Sequence, residues 1–335
     1  MSEKETQYKS HQMTDSSTQT KEIADTQPKV SVIICTHNRA FHLRTAIQSV
    51  VEQSISHDTY EILVVDNRSD DETREVVESF QPACNVRYLF EPKLGLCHAR
   101  NKGWESAYGC YVAYLDDDAV ASPGWIEAIL NAFHRYPNAG AVGGRVDPIW
   151  EADRPNWLSN DLSLGLTILD WSSAPMVLPN LDGYWLVGAN LAVPRPVIRE
   201  VGGFHTGLDR VGKRMLSSGD VFLTKQIKKC GYDCIYFPEM TVSHLVPAAR
   251  LKKSWFRNRY YWQGVSHVVM QLIEMDLTAS TRVQQAFRKF VILLMSPKQM
   301  LRLVVPTNDP SLFTVKCFTW MTVGQIMGLL GRAHK

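Results

Sequence analysis

From Lys29 onward the apolar and polar positions switch between two periods. Val30 to Cys35 is a continuous β-branched run, which reads as a parallel strand buried on both faces. Phe41, Leu43, Ala46, Ile47, Val50 and Val51 then recur at helical spacing. Glu61 to Val65 is a second strand that ends in Asp66-Asn67. Ser69-Asp70-Asp71-Glu72 opens the next helix, with a capping residue and acids on its positive end. Asn85 to Phe90 is a third strand, Leu94 to Ala107 a third helix and Cys110 to Leu115 a fourth strand. Helix Gly124 to Phe133 and strand Gly140 to Val146 complete this half. Such alternation predicts an α/β fold with a mostly parallel sheet, and ligands of such sheets bind at the carboxyl ends of the strands.

The polar residues stand at those ends. Thr36-His37-Asn38-Arg39 follows the first strand, Asp66-Asn67 the second and Glu91-Pro92 the third. The fourth runs straight into Asp116-Asp117-Asp118. Three adjacent carboxylates repel, so they cost stability unless a cation or a bound proton offsets them. Oxygen ligands at a strand end suit a hard divalent ion, Mg²⁺ or Mn²⁺, shared with substrate phosphates. The plainer alternative is a solvated turn with a helix cap, since Ser122-Pro123 follows and begins a helical pattern.

Composition adds boundaries. The chain has 335 residues, 45 % of them hydrophobic, enough for one large core or two modest ones. Residues 1–28 are rich in Ser, Thr, Gln, Lys and Glu and read as a disordered tail. They lack the features of a signal peptide, which predicts a cytoplasmic chain. The seven cysteines are scattered, and Cys35, Cys110 and Cys317 lie in apolar runs, as reduced core residues would. Residues 248–302 carry ten basic residues against Glu274 and Asp276. That is a net +8 in a chain of total charge +2, leaving −6 for the rest. A basic back end can meet phosphates, nucleic acid or an anionic membrane.

Beyond Pro148 the periodicity loosens. Trp150, Trp157, Trp171 and Trp185 lie in a stretch rich in Pro, Asn, Ser and Leu, either an acceptor-binding lid or indoles closing a core under a long loop. Regular structure returns with Tyr184 to Pro194, a helix from Val221 to Cys230 and a strand from Tyr232 to Phe237.

Several segments, in order and spacing, resemble the family 2 glycosyltransferases of the GT-A fold, of the bacterial polysaccharide-biosynthesis type. They are Val30-Ser-Val-Ile-Ile-Cys-Thr36-His-Asn38-Arg39, Val64-Val-Asp66-Asn67-Arg-Ser69-Asp70, Gly95-Leu-Cys-His-Ala99-Arg100-Asn101 and Leu115-Asp116-Asp117-Asp118. Further along come Gly188-Ala-Asn190-Leu-Ala, Val201-Gly202-Gly203-Phe204 and Gly219-Asp220. The resemblance covers 30–244 and extends to about 266. It implies a Rossmann-like sheet in a catalytic domain over 29–247, with a nucleotide-binding half (29–146), an acceptor-binding half (147–247) and a helical extension (248–335).

The resemblance also implies roles. The donor is a nucleoside-diphosphate sugar, commonly a UDP-sugar. Asp66 accepts hydrogen bonds from the base, with Asn67, Thr36, Asn38 and Arg39 in the same pocket. Arg39 reads alternatively as a surface residue at a helix start. Gly95 allows backbone close to ligand and Arg100 supplies a fixed cation, or else bridges core carboxylates. Gly188 and Asn190 belong to the substrate-binding set. Asp116 faces the ribose, Asp118 holds the divalent metal, Asp117 contributes less directly, and His244 is a second metal ligand or a hydrogen-bonded loop histidine. Asp220 is the general base, or merely a helix cap. Family members usually carry Glu-Asp there, and Gly219 replaces the Glu. The reaction so implied is metal-dependent and inverting, onto a glycan or lipid-linked acceptor in surface or exopolysaccharide synthesis. A non-catalytic nucleotide- or glycan-binding relative is the alternative; a sugar nucleotidyltransferase is disfavoured because no Gly-rich phosphate loop follows the first strand.

At the back end, Leu251 to Gly264 mixes cations with aromatics; the resemblance implies a helix there that closes over the diphosphate or meets the lipid surface. Phe290 to Met295, Met300 to Val305 and Cys317 to Leu330 are apolar but too short to span a bilayer. They predict amphipathic helices lying peripherally on the inner membrane, or packing on the catalytic domain. No nucleic-acid-binding motif accompanies the charge.

Overall fold

The structure, a computed structural model, describes residues 28–332 except 82–83, 180–182, 211–214, 297–299, 301–302 and 304. Of the expected tail only Pro28 is described, and half of the apolar stretch 300–305 lies outside the described residues. The first half follows the predicted alternation. It runs β1 (Val30–Thr36), α1 (Ala40–Val51), β2 (Tyr60–Asp66), α2 (Thr73–Glu78), β3 (Val86–Phe90), α3 (Leu96–Glu105), β4 (Tyr111–Asp116), β5 (Ala119–Ala121) and α4 (Trp125–Arg135). It closes with β6 (Ala139–Gly143) and β7 (Val146–Trp150). The expected single strand over 140–146 is two, because the chain turns at Gly144. A Cβ there would stand 1.7 Å from the Met240 carbonyl oxygen.

The second half holds α5 (Asn160–Ser163), β8 (Met176–Val177), β9 (Asn190–Pro194), α6 (Arg195–Glu200), α7 (Gly219–Lys229), β10 (Asp233–Tyr236) and β11 (Val242–Val246). Eight strands form one sheet in the order β3-β2-β1-β4-β9-β6-β10-β8. All run one way except β9 and β8. In register, Thr36 lies beside Asp66 and Cys35 beside Asp116, so three carboxyl ends finish level. A small second sheet, β5-β11-β7, was not foreseen. It sets His244 opposite Ala119, directly after the three aspartates.

The extension is helical: α8 (Lys253–Glu274), α9 (Ala279–Leu294) and α10 (Pro310–Leu329). Two glycine contacts bring α8 and α10 together. A Cβ on Gly264 would lie 1.9 Å from the Met321 carbonyl oxygen, and one on Gly324 equally close to that of Tyr261. Trp157 wedges edge-on between Phe256 and Phe313, which joins both helices to the catalytic domain. Core packing is therefore what these two helices do. Among the described residues no helix is long and apolar enough to cross a membrane. α9 differs: Ala286 and Leu293 face inward, whereas Val283, Phe287, Phe290 and Leu294, one stripe at helical spacing, are exposed. Of the cysteines expected in the core, Cys317 is buried but Cys110 is exposed.

Candidate active site

β4 delivers Asp116 at its last residue, and the turn into β5 carries Asp117 and Asp118. The Asp118 carbonyl accepts the Leu245 N–H at 2.9 Å, which pins the turn against β11. His244 on that strand places Nε2 3.1 Å from Asp118 Oδ1 and 4.0 Å from Asp116 Oδ2. The three side chains can each offer one ligand atom within 4.8 Å of the others. Two carboxylates and an imidazole suit Mn²⁺ or a similar divalent ion. His244 is buried, and its Nδ1 has no protein partner. A polar histidine held here against two acids fits a metal cluster better than a solvated turn.

Cations surround the acids. Arg39 Nη1 lies 3.0 Å from Asp117 Oδ1 and 2.6 Å from Asp118 Oδ2, so it is a site residue rather than a surface one. Thr36 donates its hydroxyl to Asp117 Oδ2 at 2.8 Å. Burial pushes the Asp117 carboxyl up to about 6, against the pull of Arg39. Burial also pushes Asp118 upward, but the His244 hydrogen bond with the charges of Arg39 and Arg250 holds it well below the usual range. The middle acid is thus bound by Thr36 and Arg39, whereas Asp118 stays anionic.

Arg100, buried on α3, reaches Asp116 at 3.3 Å. Gly188 makes room for it, since a Cβ there would meet the guanidinium at 2.2 Å. The Gly188 N–H donates to Asp220 Oδ2 at 2.8 Å, and the Val221 N–H to Asp220 Oδ1 at 2.9 Å. Asp220 sits in the first turn of α7, oriented by two backbone donors, and lines the same cavity as Asp118. Gly219 has a packing reason: a Cβ there would lie 2.9 Å from the Cys97 sulfur.

That cavity, about 1260 Å³, brings together Thr36, Arg39, Asn67, Gly95, Arg100, the three aspartates, Gly188, Asp220 and His244. Asn67 uses its amide to hold the loop after β3, bonding the carbonyls of Glu91 and Lys93 and the Gly95 N–H. Three expected residues are not part of the lining. Asp66 is buried and accepts the Ser69 N–H and the Tyr88 hydroxyl. Asn38 ties its loop to Ser69 and Asp70. Asn190 is fully buried, its amide engaged by the Trp125 indole and the carbonyls of Arg145 and Met240.

Other lining residues were not foreseen as site residues. Asp209 accepts the Cys97 N–H at 2.5 Å and fills the space beside Gly95, where a Cβ would meet it at 2.4 Å. Nothing local signals it, because its partner is 112 residues away. Arg250, 3.9 Å from Asp118, comes from the basic segment 248–302, as does Arg259, and neither was singled out there as a site residue. Of the tryptophans, Trp185 lines the cavity and Trp157 closes a core; the Trp171 indole donates to the Trp185 carbonyl.

The family profile of Glycosyl transferase family 2 matches residues 31–200, half of the chain. The chain belongs to that family. This family 2 glycosyltransferase is 27 % identical over 310 residues to the glucosyl-dolichyl phosphate glucuronosyltransferase of Haloferax volcanii. The match covers 86 % of this chain and 90 % of that one. It is 29 % identical to glycosyltransferase AglE of the same organism, over 70 % and 73 % of the two chains. In fold it resembles the mannosyltransferase PcManGT of Pyrobaculum calidifontis, solved with GDP-Man and Mn²⁺. That likeness has a TM-score of 0.58 and 19 % identity, over 90 % of this chain and 87 % of that one. The fold is therefore GT-A, and the enzyme is a glycosyltransferase.

Proposed function

We propose that this enzyme moves a sugar from a nucleoside-diphosphate donor, with UDP-sugar the first to test, to a hydroxyl of a lipid-linked glycan in surface-polysaccharide assembly. The observation that carries the reading is the meeting of the Asp116–Asp118–His244 cluster and Asp220 in one cavity. The acceptor class is supported by the dolichyl phosphate in the name of the Haloferax relative.

Asp118, His244 and Asp116 would hold the metal, which supplies charge stabilisation to the departing diphosphate. Arg39 and Arg250 add positive charge on the same side. Asp220, fixed by the Gly188 and Val221 N–H groups, takes the proton of the acceptor hydroxyl. That oxygen bonds to the anomeric carbon as the carbon–phosphate-oxygen bond breaks, and the nucleoside diphosphate leaves. A single displacement of this kind inverts the anomeric centre. The exposed stripe of α9, with Arg288 exposed on the same acid-free helix, lies on an anionic membrane surface in this reading.

Thermal shifts with UDP, GDP, dTDP and CDP, each with and without Mn²⁺, test the donor site. One nucleotide should raise the melting temperature only with metal, and Asp118→Ala should abolish the shift. Absence of a metal-linked shift for all four nucleotides would overturn the proposal. For the membrane contact, Phe287→Asp should release the protein from phosphatidylglycerol vesicles in co-sedimentation; unchanged binding would refute it.

A further inference from the structure

The cavity does not end at the donor machinery. Beyond Asp220 it is walled by α8 and α10, where Arg259 stands with Tyr260, Met270, Phe318 and Met321 and with the polar Gln263 and Glu274. Arg210, exposed at the end of the Thr206–Leu208 turn, opens onto the same space. Arg250, Arg210 and Arg259 all line this cavity, and Arg250 stands 3.9 Å from Asp118. Arg259 is held by neutral groups, its Nη1 donating to Ser217 Oγ at 3.1 Å and Gln263 Oε1 at 2.8 Å. Among the described residues no carboxylate lies within ion-pair distance of Arg210 or Arg259, although Asp220 is near enough to be felt. Withdrawal from water, then repulsion from Arg210, pulls the Arg259 guanidinium down to about 10. Two like charges on one cavity, neither in an ion pair with a described carboxylate, are stabilised by an incoming anion.

We infer that Arg210 and Arg259 form an acceptor-side anion subsite, distinct from the donor diphosphate site. It takes the phosphate of a lipid-phosphate acceptor, with the adjoining apolar wall of α8 and α10 taking the start of the lipid chain. The inference rests on the acceptor reading of the preceding section and adds where that acceptor is held. The donor diphosphate belongs with Asp118, His244 and Arg250, which stands 3.9 Å from Asp118. Aromatic and methionine side chains beside a guanidinium pair match a phosphate joined to a hydrocarbon, not a free anion.

Calorimetric titration of the full chain tests this with farnesyl phosphate, farnesol and inorganic phosphate, each with and without UDP and Mn²⁺. Farnesyl phosphate should bind at least tenfold more tightly than either other probe, and alongside the nucleotide. Arg210→Ala and Arg259→Gln should each weaken it at least tenfold while the nucleotide Kd changes less than twofold. Arg210 is exposed, so its variant carries the test if Arg259→Gln fails to fold. Equal affinity for farnesol would overturn the anion subsite, and equal affinity for inorganic phosphate would overturn the lipid assignment. A parallel loss of nucleotide binding in the variants would reassign both arginines to the donor. Failure of the wild type to bind nucleotide would instead strike the donor reading, with the farnesyl phosphate titration still readable by itself.

Discussion

The strand-end half of the site and its helical wall are held by different means. At the sheet, β1, β2 and β4 finish in register, so Thr36 and Asp116 are fixed by ladders running through a core of fully buried valines and isoleucines. The wall has no such ladder. α8 and α10 rest on two glycine contacts and on a Trp157–Phe256–Phe313 cluster. The strand-end half is thus set by backbone pairing, and the helical wall by side-chain packing that can be altered without touching the sheet.

The comparison can be broken at several points. Asp220→Asn should lower turnover by about 10²–10⁴-fold while metal-linked nucleotide binding persists, read by coupled release of nucleoside diphosphate. Turnover within a factor of three of wild type would remove Asp220 as the base. Gly264→Val pushes a side chain into the Met321 carbonyl and should cost about 3 kcal/mol in urea unfolding. A cost below about 0.5 kcal/mol, the scale of ordinary surface substitutions, would mean that the wall is not packed as described.

Asp117 sharpens the donor side. Its folded pKa, raised to about 6, exceeds the ordinary value of 3.8, so wild type loses stability as pH rises from 4 through 6. Asp117→Asn cannot ionise. In chelator it should therefore gain up to about 3 kcal/mol relative to wild type between pH 4 and pH 7.5, at about 1.4 kcal/mol per pKa unit. A pH-independent difference would be inconsistent with this environment. The smallest effect belongs to the exposed Arg74–Glu78 pair, where Glu78→Gln should leave the unfolding midpoint unchanged.

The same contrast governs what could be read from the residues alone. β1 to β4 were legible because β-branched runs between helical patterns leave few alternatives, and their polar ends marked the site. The β5-β11-β7 sheet was not, since its three-residue strand follows three aspartates and its partners lie far along the chain. Asn190 stood out as part of a motif, yet its amide is spent in the core, which depends on where Trp125 and Met240 fall. Arg259 was visible as one charge in a basic segment. Its place in the cavity depends on a helix docked by glycines whose contacts are more than fifty residues apart in sequence.

The close approach of Cys97 and Gly219 links how the two positions can change. A Cβ at 219 would stand 2.9 Å from the Cys97 sulfur, which is the free end of a side chain and not backbone. An acidic residue at 219 therefore enters by turning that thiol aside, and alanine at 97 removes the need for the move. The two positions make up a coupled pair, in which the cost of a change at one depends on the size of the residue at the other.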